Sequence, residues 1–174
     1  MILHGYVCQD LMDTVLIPIV KDKKGDISSK DNYRPIAITS VISKVFELVI
    51  LDRYQYCLVT SCNQFGFKND HSTDLCNFVL KQVIDYYTHM SSPVFICYLD
   101  ASKAFDRLNF WVLFDKLLDR GLPVLVVRLL VFWYTHQKFF VRWGSSVSKT
   151  FGASNGTRQG GILSSNLFNL YVDG

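Results

Sequence analysis

Residues 94–99, VFICYL, are six consecutive apolar positions held between Pro93 and Asp100. A short run of β-branched and aromatic residues bounded by a breaker predicts a buried strand. A strand of that kind commits the chain to a central sheet backed by helices, which makes the fold class α+β. The run ends on a carboxylate, and a second, Asp106, follows six residues on. An aspartate at the C-terminal end of a central strand is a rigid, partly exposed anion. It can cap its own turn through local backbone hydrogen bonds, or it can hold Mg²⁺, which favours carboxylate, carbonyl and phosphate oxygens. On the Leu-Asp pair alone, turn capping is the commoner use.

The remaining segments supply partners for such a sheet. VLIPIV (15–20) and YRPIAI (33–38) read as two strands joined by the polar loop KDKKGDISSKDN, a hairpin with a charged tip. Pro35 keeps Arg34 out of helical geometry. Residues 40–58 read as a helix with Ser40 as N-cap and an apolar stripe of Val41, Val45, Leu48 and Val49, flanked by Ile42 and Phe46. Residues 72–87 read as a second amphipathic helix that aligns Leu75, Val79, Val83 and Tyr87. Asn109 caps a helix that Gly121 and Pro123 stop near residue 120, and LPVLVVRLLVFWY (122–134) is a buried helix. KFFVRWG and VSKTFGA form a hairpin turning at 144–146, and a Gly-rich loop feeds a last amphipathic helix. A soft boundary falls near residue 90.

Composition narrows the classes. An apolar fraction of 49% is enough to bury a core, which excludes global disorder. The net charge of +3 is a weak bias towards anionic partners. Five cysteines with no CxxC pair give neither a disulfide framework nor a zinc spacing, and point to a reducing, intracellular compartment. The longest apolar stretch is shorter than the ~20 residues of a membrane span and contains Arg128, so no membrane partner is expected.

Two further segments carry polar chemistry. GTRQGG (156–161) places three glycines around a polar centre just before a helix, where backbone N–H groups can meet a phosphate or sugar. Gln159 adds an amide that donates and accepts. Arg34 and the lysines of the hairpin tip suit a polyphosphate. Each of these taken alone reads equally as a plain turn or a solvated loop.

Together, DNYRPIAITSVISKVFE, QFGFKNDHST, YLDASKAFD and GTRQGGILSSNLFNLY resemble, in order and spacing, the motifs of reverse transcriptases of non-LTR (LINE-type) retrotransposons. The resemblance covers nearly the whole chain. It implies a right-handed polymerase architecture, an antiparallel sheet backed by helices, with fingers over residues 1–90 and a partial palm over 91–174. By that resemblance Asp100 is the first catalytic aspartate and a ligand of two Mg²⁺ ions, with the carbonyl of Ala101 a further ligand. Phe105 lies under the sugar of the incoming nucleotide and excludes a 2′-hydroxyl. Arg34, with one or more of Lys21, Lys23 and Lys24, closes on the triphosphate. Gln159 and Gly160 contact the incoming nucleotide and the template, and Phe65, Gly66 and Phe67 face the template strand. Asp106 is structural, and Lys103 points to solvent. The implied partners are template RNA, primer DNA and deoxynucleoside triphosphates, in the nucleus or the cytoplasm.

The chain departs from the family in one chemical respect. The second acidic pair, an aromatic-Ala-Asp-Asp hairpin, is missing. YVDG (171–174) has one carboxylate and lies on the helix that the Gly-rich motif starts. Ser165 stands where the family has proline. The expected reading is a fragment of an RNA-directed DNA polymerase, cut before the C-terminal palm and thumb and inactive alone. Its cut should expose the strand at 94–99 and the helix at 122–134. The alternatives are a non-catalytic nucleic-acid-binding remnant of such an element, or a decayed gene fragment.

Overall fold

The computed structural model describes residue 4 and residues 6–173. Four strands form one mixed sheet: β1 (Asp13–Val20), β2 (Tyr33–Thr39), β3 (Lys138–Trp143) and β4 (Ser146–Val147). Their order is β2-β1-β3-β4. β1 and β2 are the antiparallel hairpin that the sequence predicts, with Val20 opposite Tyr33. Pro18 faces Pro35 across it. Neither residue has an N–H to give, and a non-hydrogen-bonded pair asks for none, because its N–H groups point away from the partner strand. The same parity turns the N–H of Ala37 outwards, where it donates to the carbonyl of Gln159 at 2.7 Å. β3 and β4 turn over Gly144 and Ser145, with Trp143 opposite Ser146. The sheet is not purely antiparallel as the fold class expects: β3 runs parallel to β1, with Asp13 opposite Lys138 and Leu16 opposite Val141.

Five α-helices accompany the sheet: α1 (Val41–Tyr54), α2 (Thr73–His89), α3 (Phe110–Asp119), α4 (Val124–His136) and α5 (Ser164–Val172). Their starts follow local side-chain chemistry. The hydroxyls of Ser40 and Ser72 accept from the N–H groups of Ser43 and Leu75, and the Asn109 amide oxygen accepts from Trp111 and Val112. Gly121, at φ +78°, ends α3, and Pro123 opens α4. The core lies between α3, α4 and α5, where Leu113, Leu117, Leu129, Leu130, Trp133, Leu167 and Leu170 are buried. Val7, Leu11, Met12, Ile50 and Cys57 join it from the first part of the chain. Among the described residues no helix is long and apolar enough to cross a membrane.

Three expectations are corrected. The run 94–99 is not a strand. It has no regular structure, none of its backbone groups pairs with another described residue, and Phe95 and Leu99 are more than nine-tenths exposed. A strand exists only through a neighbour that completes its ladder, and no described strand lies beside this one. The helix at 122–134 is covered, not bare: α4 buries Val126, Val127, Leu129, Leu130, Trp133 and Tyr134. α1 forms where predicted but presents a different face. Val41, Ile42, Val45, Leu48 and Val49 are exposed, whereas Ser43, Glu47 and Ile50 are buried.

Glu47 sets that rotation. Its carboxylate is 1% exposed and pairs with the guanidinium of Arg158, itself 2% exposed. The second carboxylate oxygen accepts from the N–H groups of Ile162 (2.5 Å) and Leu163 (3.3 Å), at the start of α5. A buried carboxylate is tolerable only when so satisfied. Here it pairs with one nitrogen of a buried cation and accepts from two N–H groups that no helical carbonyl can reach. The Arg158 guanidinium also lies 4.7 Å from the centre of the Trp133 ring, a cation–π contact.

Two outcomes are expected. Glu47→Ala should cost roughly 3–5 kcal/mol, because it strands a buried cation, and Glu47→Leu with Arg158→Met should recover most of that loss; urea midpoints of the three proteins check it. The uncovered faces of 94–99 and α2 should also bind 1-anilinonaphthalene-8-sulfonate and drive concentration-dependent association, read by fluorescence and sedimentation velocity.

Candidate nucleotide-facing cleft

The loop between β4 and α5 is built to lie against its neighbours. The N–H of Gly156 donates to Leu108 O at 2.7 Å, and that of Thr157 to Phe105 O at 2.8 Å. A Cβ on Gly156 would stand 3.0 Å from the Cα of Asp106, and one on Gly160 only 2.8 Å from the carbonyl of Ala37. Both glycines also have φ in the left-handed region, at +91° and +115°, so each is fixed by close approach and by dihedral. The loop therefore bridges the turn at 104–107 and the edge of β2. Arg158, between them, is anchored inwards on Glu47, which leaves Gln159 facing out.

A cleft of about 1230 Å³ opens over this bridge. Lys21 and Arg34 come to it from the β1–β2 hairpin, Phe105 and Asp106 from the turn, and Gln159 and Gly160 from the loop. Thus Lys21, Arg34, Phe105, Gln159 and Gly160, which the resemblance nominates for nucleotide contact, line one space, whereas Lys23 and Lys24 are not among its lining residues. Asp106 also lines it and accepts from the Gln159 amide at 3.4 Å. The Phe105 ring stacks on Phe168 of α5 with centroids 4.5 Å apart and meets the edge of Phe67 at 5.8 Å.

The hairpin tip is ordered rather than a loose loop. Asn32 exchanges hydrogen bonds with the backbone of Asp22 (2.9 and 3.0 Å), and the Tyr33 hydroxyl donates to Ile27 O at 2.8 Å. Asp31 receives the ammonium of Lys103 at 2.9 Å, and its carbonyl receives that of Lys21 at 2.8 Å. The hydrogen bond and charge of Lys103 hold the Asp31 carboxyl below its usual range. Lys103 is thus not simply directed to solvent. It sits at φ +54° and ties the turn to the hairpin across the cleft.

Asp100 is exposed, as is Ala101, and neither is among the residues that line the cleft with Gln159. Among the described residues no three acidic, histidine or cysteine side chains gather to hold a metal ion. Asp100 and a single carbonyl are too few donors to hold two divalent cations against their mutual repulsion, so this donor set does not fit a two-metal centre. Asp173 is no second carboxylate for it. It accepts from the N–H of Ser61 and from Arg120, which together hold its carboxyl below the usual range.

Of the template-side segment, Phe67 reaches the cleft and Phe65 does not; Phe65 packs on His71 with centroids 5.6 Å apart. The carbonyl of Gly66 accepts from Asn169 at 2.6 Å. Sequence reasoning did not single out Lys30, Asp31, Tyr33, Glu47 or Phe168. Asp31 and Lys30 were hidden in a mixed-charge loop, and Glu47 by its place within the apolar run 45–51, where an acid in mid-run was itself the available signal.

A model of the family described as reverse transcriptase (RNA-dependent DNA polymerase) matches residues 20–174. The chain is 32% identical over 146 residues to the probable RNA-directed DNA polymerase from transposon X-element of Drosophila melanogaster, covering 80% of this chain and 16% of that protein. It is 29% identical over 164 residues to the Pol polyprotein of the type-2 retrotransposable element R2DM of the same fly (94% and 15%). It is 27% identical over 181 residues to the RNA-directed DNA polymerase from mobile element jockey of Drosophila funebris (97% and 19%). The chain spans about one-sixth of the length of these relatives. It belongs to the reverse transcriptase family, among the RNA-directed DNA polymerases of non-LTR retrotransposons.

Proposed function

We propose that this chain is the part of an RNA-directed DNA polymerase that receives the deoxynucleoside triphosphate and the template, with residues 1–90 as fingers and 91–174 as a partial palm. The observation that carries the reading is the convergence of Lys21, Arg34, Phe105, Gln159 and Gly160 on one cleft. Each wall suits a different part of a nucleotide. Lys21, Lys30, Arg34 and Lys103 bring positive charge to the hairpin side, where a triphosphate is favoured. Phe105, stacked on Phe168, offers a fixed ring to a sugar, and by the family resemblance it would leave no room for a 2′-hydroxyl. Gln159, held at the end of the loop, offers an amide to a base or sugar.

In the parent reaction a primer 3′-hydroxyl attacks the α-phosphorus of the nucleotide, the new P–O bond forms and pyrophosphate leaves. Mg²⁺ would supply charge neutralisation and activation of the hydroxyl. With Asp100 the one family carboxylate present, these residues supply positioning and not the chemical step. Template RNA and primer DNA are the partners in this reading.

Primer extension by this chain with Mg²⁺, template and deoxynucleotides should give no incorporation above background. Robust incorporation that Asp100→Ala abolishes would overturn the assignment. Binding should survive where chemistry does not. A fluorescent deoxynucleoside triphosphate should bind with an affinity that falls as salt rises, that weakens several-fold in Arg34→Ala, and that changes little in Asp100→Ala. In Phe105→Ala the preference for deoxy- over ribonucleotide should shrink, which competition titrations would read directly.

A further inference from the structure

Beside the Gly-rich loop lies a smaller cleft, of about 220 Å³. The sheet supplies its apolar lining. Side chains alternate along a strand, and the register sets Leu16 opposite Ala37 and Thr14 opposite Phe139, so Leu16, Pro35, Ala37 and Phe139 share one face. All four line this cleft, whereas Arg34 and Ile36, on the other face, line the nucleotide-facing one. Phe151 joins them. It exchanges two backbone hydrogen bonds of 2.8 Å with Phe139, and the two rings stack with centroids 6.0 Å apart. The Phe151 ring is nonetheless exposed.

The two clefts differ in charge. The larger gathers Lys21, Lys30, Arg34 and Lys103. Among the residues that line the smaller, Asp106 is the one carboxylate and Arg158 the one cation, and Arg158 is already paired with Glu47. Asp106 is exposed, and among the described residues its carboxylate accepts from the Gln159 amide alone, at 3.4 Å, beyond the usual N–H···O range. An under-used anion beside an aromatic, apolar wall repels a phosphate. It suits a planar cation carried on a ring: two parallel N–H groups can meet the carboxylate, and the face of Phe151 attracts the charge. The space is sufficient, since a cavity of roughly 150 Å³ already accepts benzene.

We propose that this smaller cleft binds a small aromatic cation of the amidinium or guanidinium kind, with Asp106 as its counter-ion and Phe151 as its stacking face. Asp106 and Gln159 line both clefts, so a cation that takes the carboxylate releases the Gln159 amide and alters what the nucleotide-facing cleft presents. That coupling rests on the proposed function; the binding does not.

Benzamidine and its neutral isostere benzamide, titrated into the whole chain by calorimetry, test the site. Benzamidine should bind about tenfold or more tightly than benzamide, the order that a hydrogen bond to a charged group supplies. Asp106→Asn should bring that ratio towards one, and Phe151→Ala should weaken both ligands. Asp31→Asn, which removes a carboxylate from the neighbouring cleft, should leave the ratio standing. Unchanged far-ultraviolet dichroism and thermal midpoint show that each variant is folded. Equal affinities for the two ligands, or a ratio that survives Asp106→Asn, overturn the site. Saturating benzamidine should also weaken binding of a fluorescent deoxynucleoside triphosphate by about twofold or more, through loss of a preorganised amide, and should do so less in Asp106→Asn. An unchanged nucleotide affinity overturns the coupling, whereas a chain that binds benzamidine and no nucleotide overturns the proposed function and keeps the cation site.

Discussion

The buried carboxylate of Glu47 is the point on which the site depends. α1 lies more than a hundred residues before the Gly-rich loop and the α5 that follows it. What joins them is one anion that accepts from Arg158 and from the first N–H groups of α5. The loop leaves that anchor in two directions with fixed geometry, through Gly161 to the helix and through Gln159 to the edge of β2. Moving Glu47 would release Arg158, and with it the position of the neighbouring Gln159. A buried ion pair gives uncertain net stability, since desolvation offsets much of the Coulomb attraction. Its evident product here is register: one arrangement of loop and helix satisfies the carboxylate.

The same anchor explains where the sequence can and cannot be read. Elements governed by local chemistry were legible. The β1–β2 hairpin follows from two β-branched runs about a polar loop, the α3 boundary from Asn109 and Gly121, and the β3–β4 turn from Gly144. The face of α1 was not. Apolar periodicity points to Val41, Val45, Leu48 and Val49, yet these are solvent-facing, because satisfying one buried acid outweighs the periodic pattern. Nothing local marks Glu47 as inward-facing; its partner stands more than a hundred positions away.

The run 94–99 fails for a different reason. Its composition is that of a strand, and composition was read correctly. Pairing is a property of two segments, however, and one segment cannot carry it. Without a neighbour in the ladder, its backbone groups go to water and its side chains remain exposed. The convergence of Lys21, Arg34, Phe105 and Gln159 on one cleft was suggested only by the ordered set of motifs. Lys21, Arg34, Phe105 and Gln159 lie on separate elements, and no spacing within one helix or strand brings them together.

The cleft that results has one stiff wall and one soft wall. The Gly-rich loop, the turn at 104–107 and α5 are joined by backbone hydrogen bonds, by the stacked pair Phe105–Phe168 and by the buried carboxylate. The hairpin tip is ordered within itself but reaches the opposite wall through Lys103–Asp31, whose side chains are 56% and 64% exposed. An exposed pair of this kind contributes only about 0–1 kcal/mol and weakens with salt. A polyanion entering beside Arg34 would compete with Asp31 for Lys103 and Lys21, and would carry more charge. The tether across the cleft is therefore weak enough for such a ligand to replace, while the wall that fixes Phe105 and Gln159 stays in place. In the proposed reading, that asymmetry would let a basic hairpin adjust to a triphosphate without disturbing the ring and the amide that would meet the rest of the nucleotide.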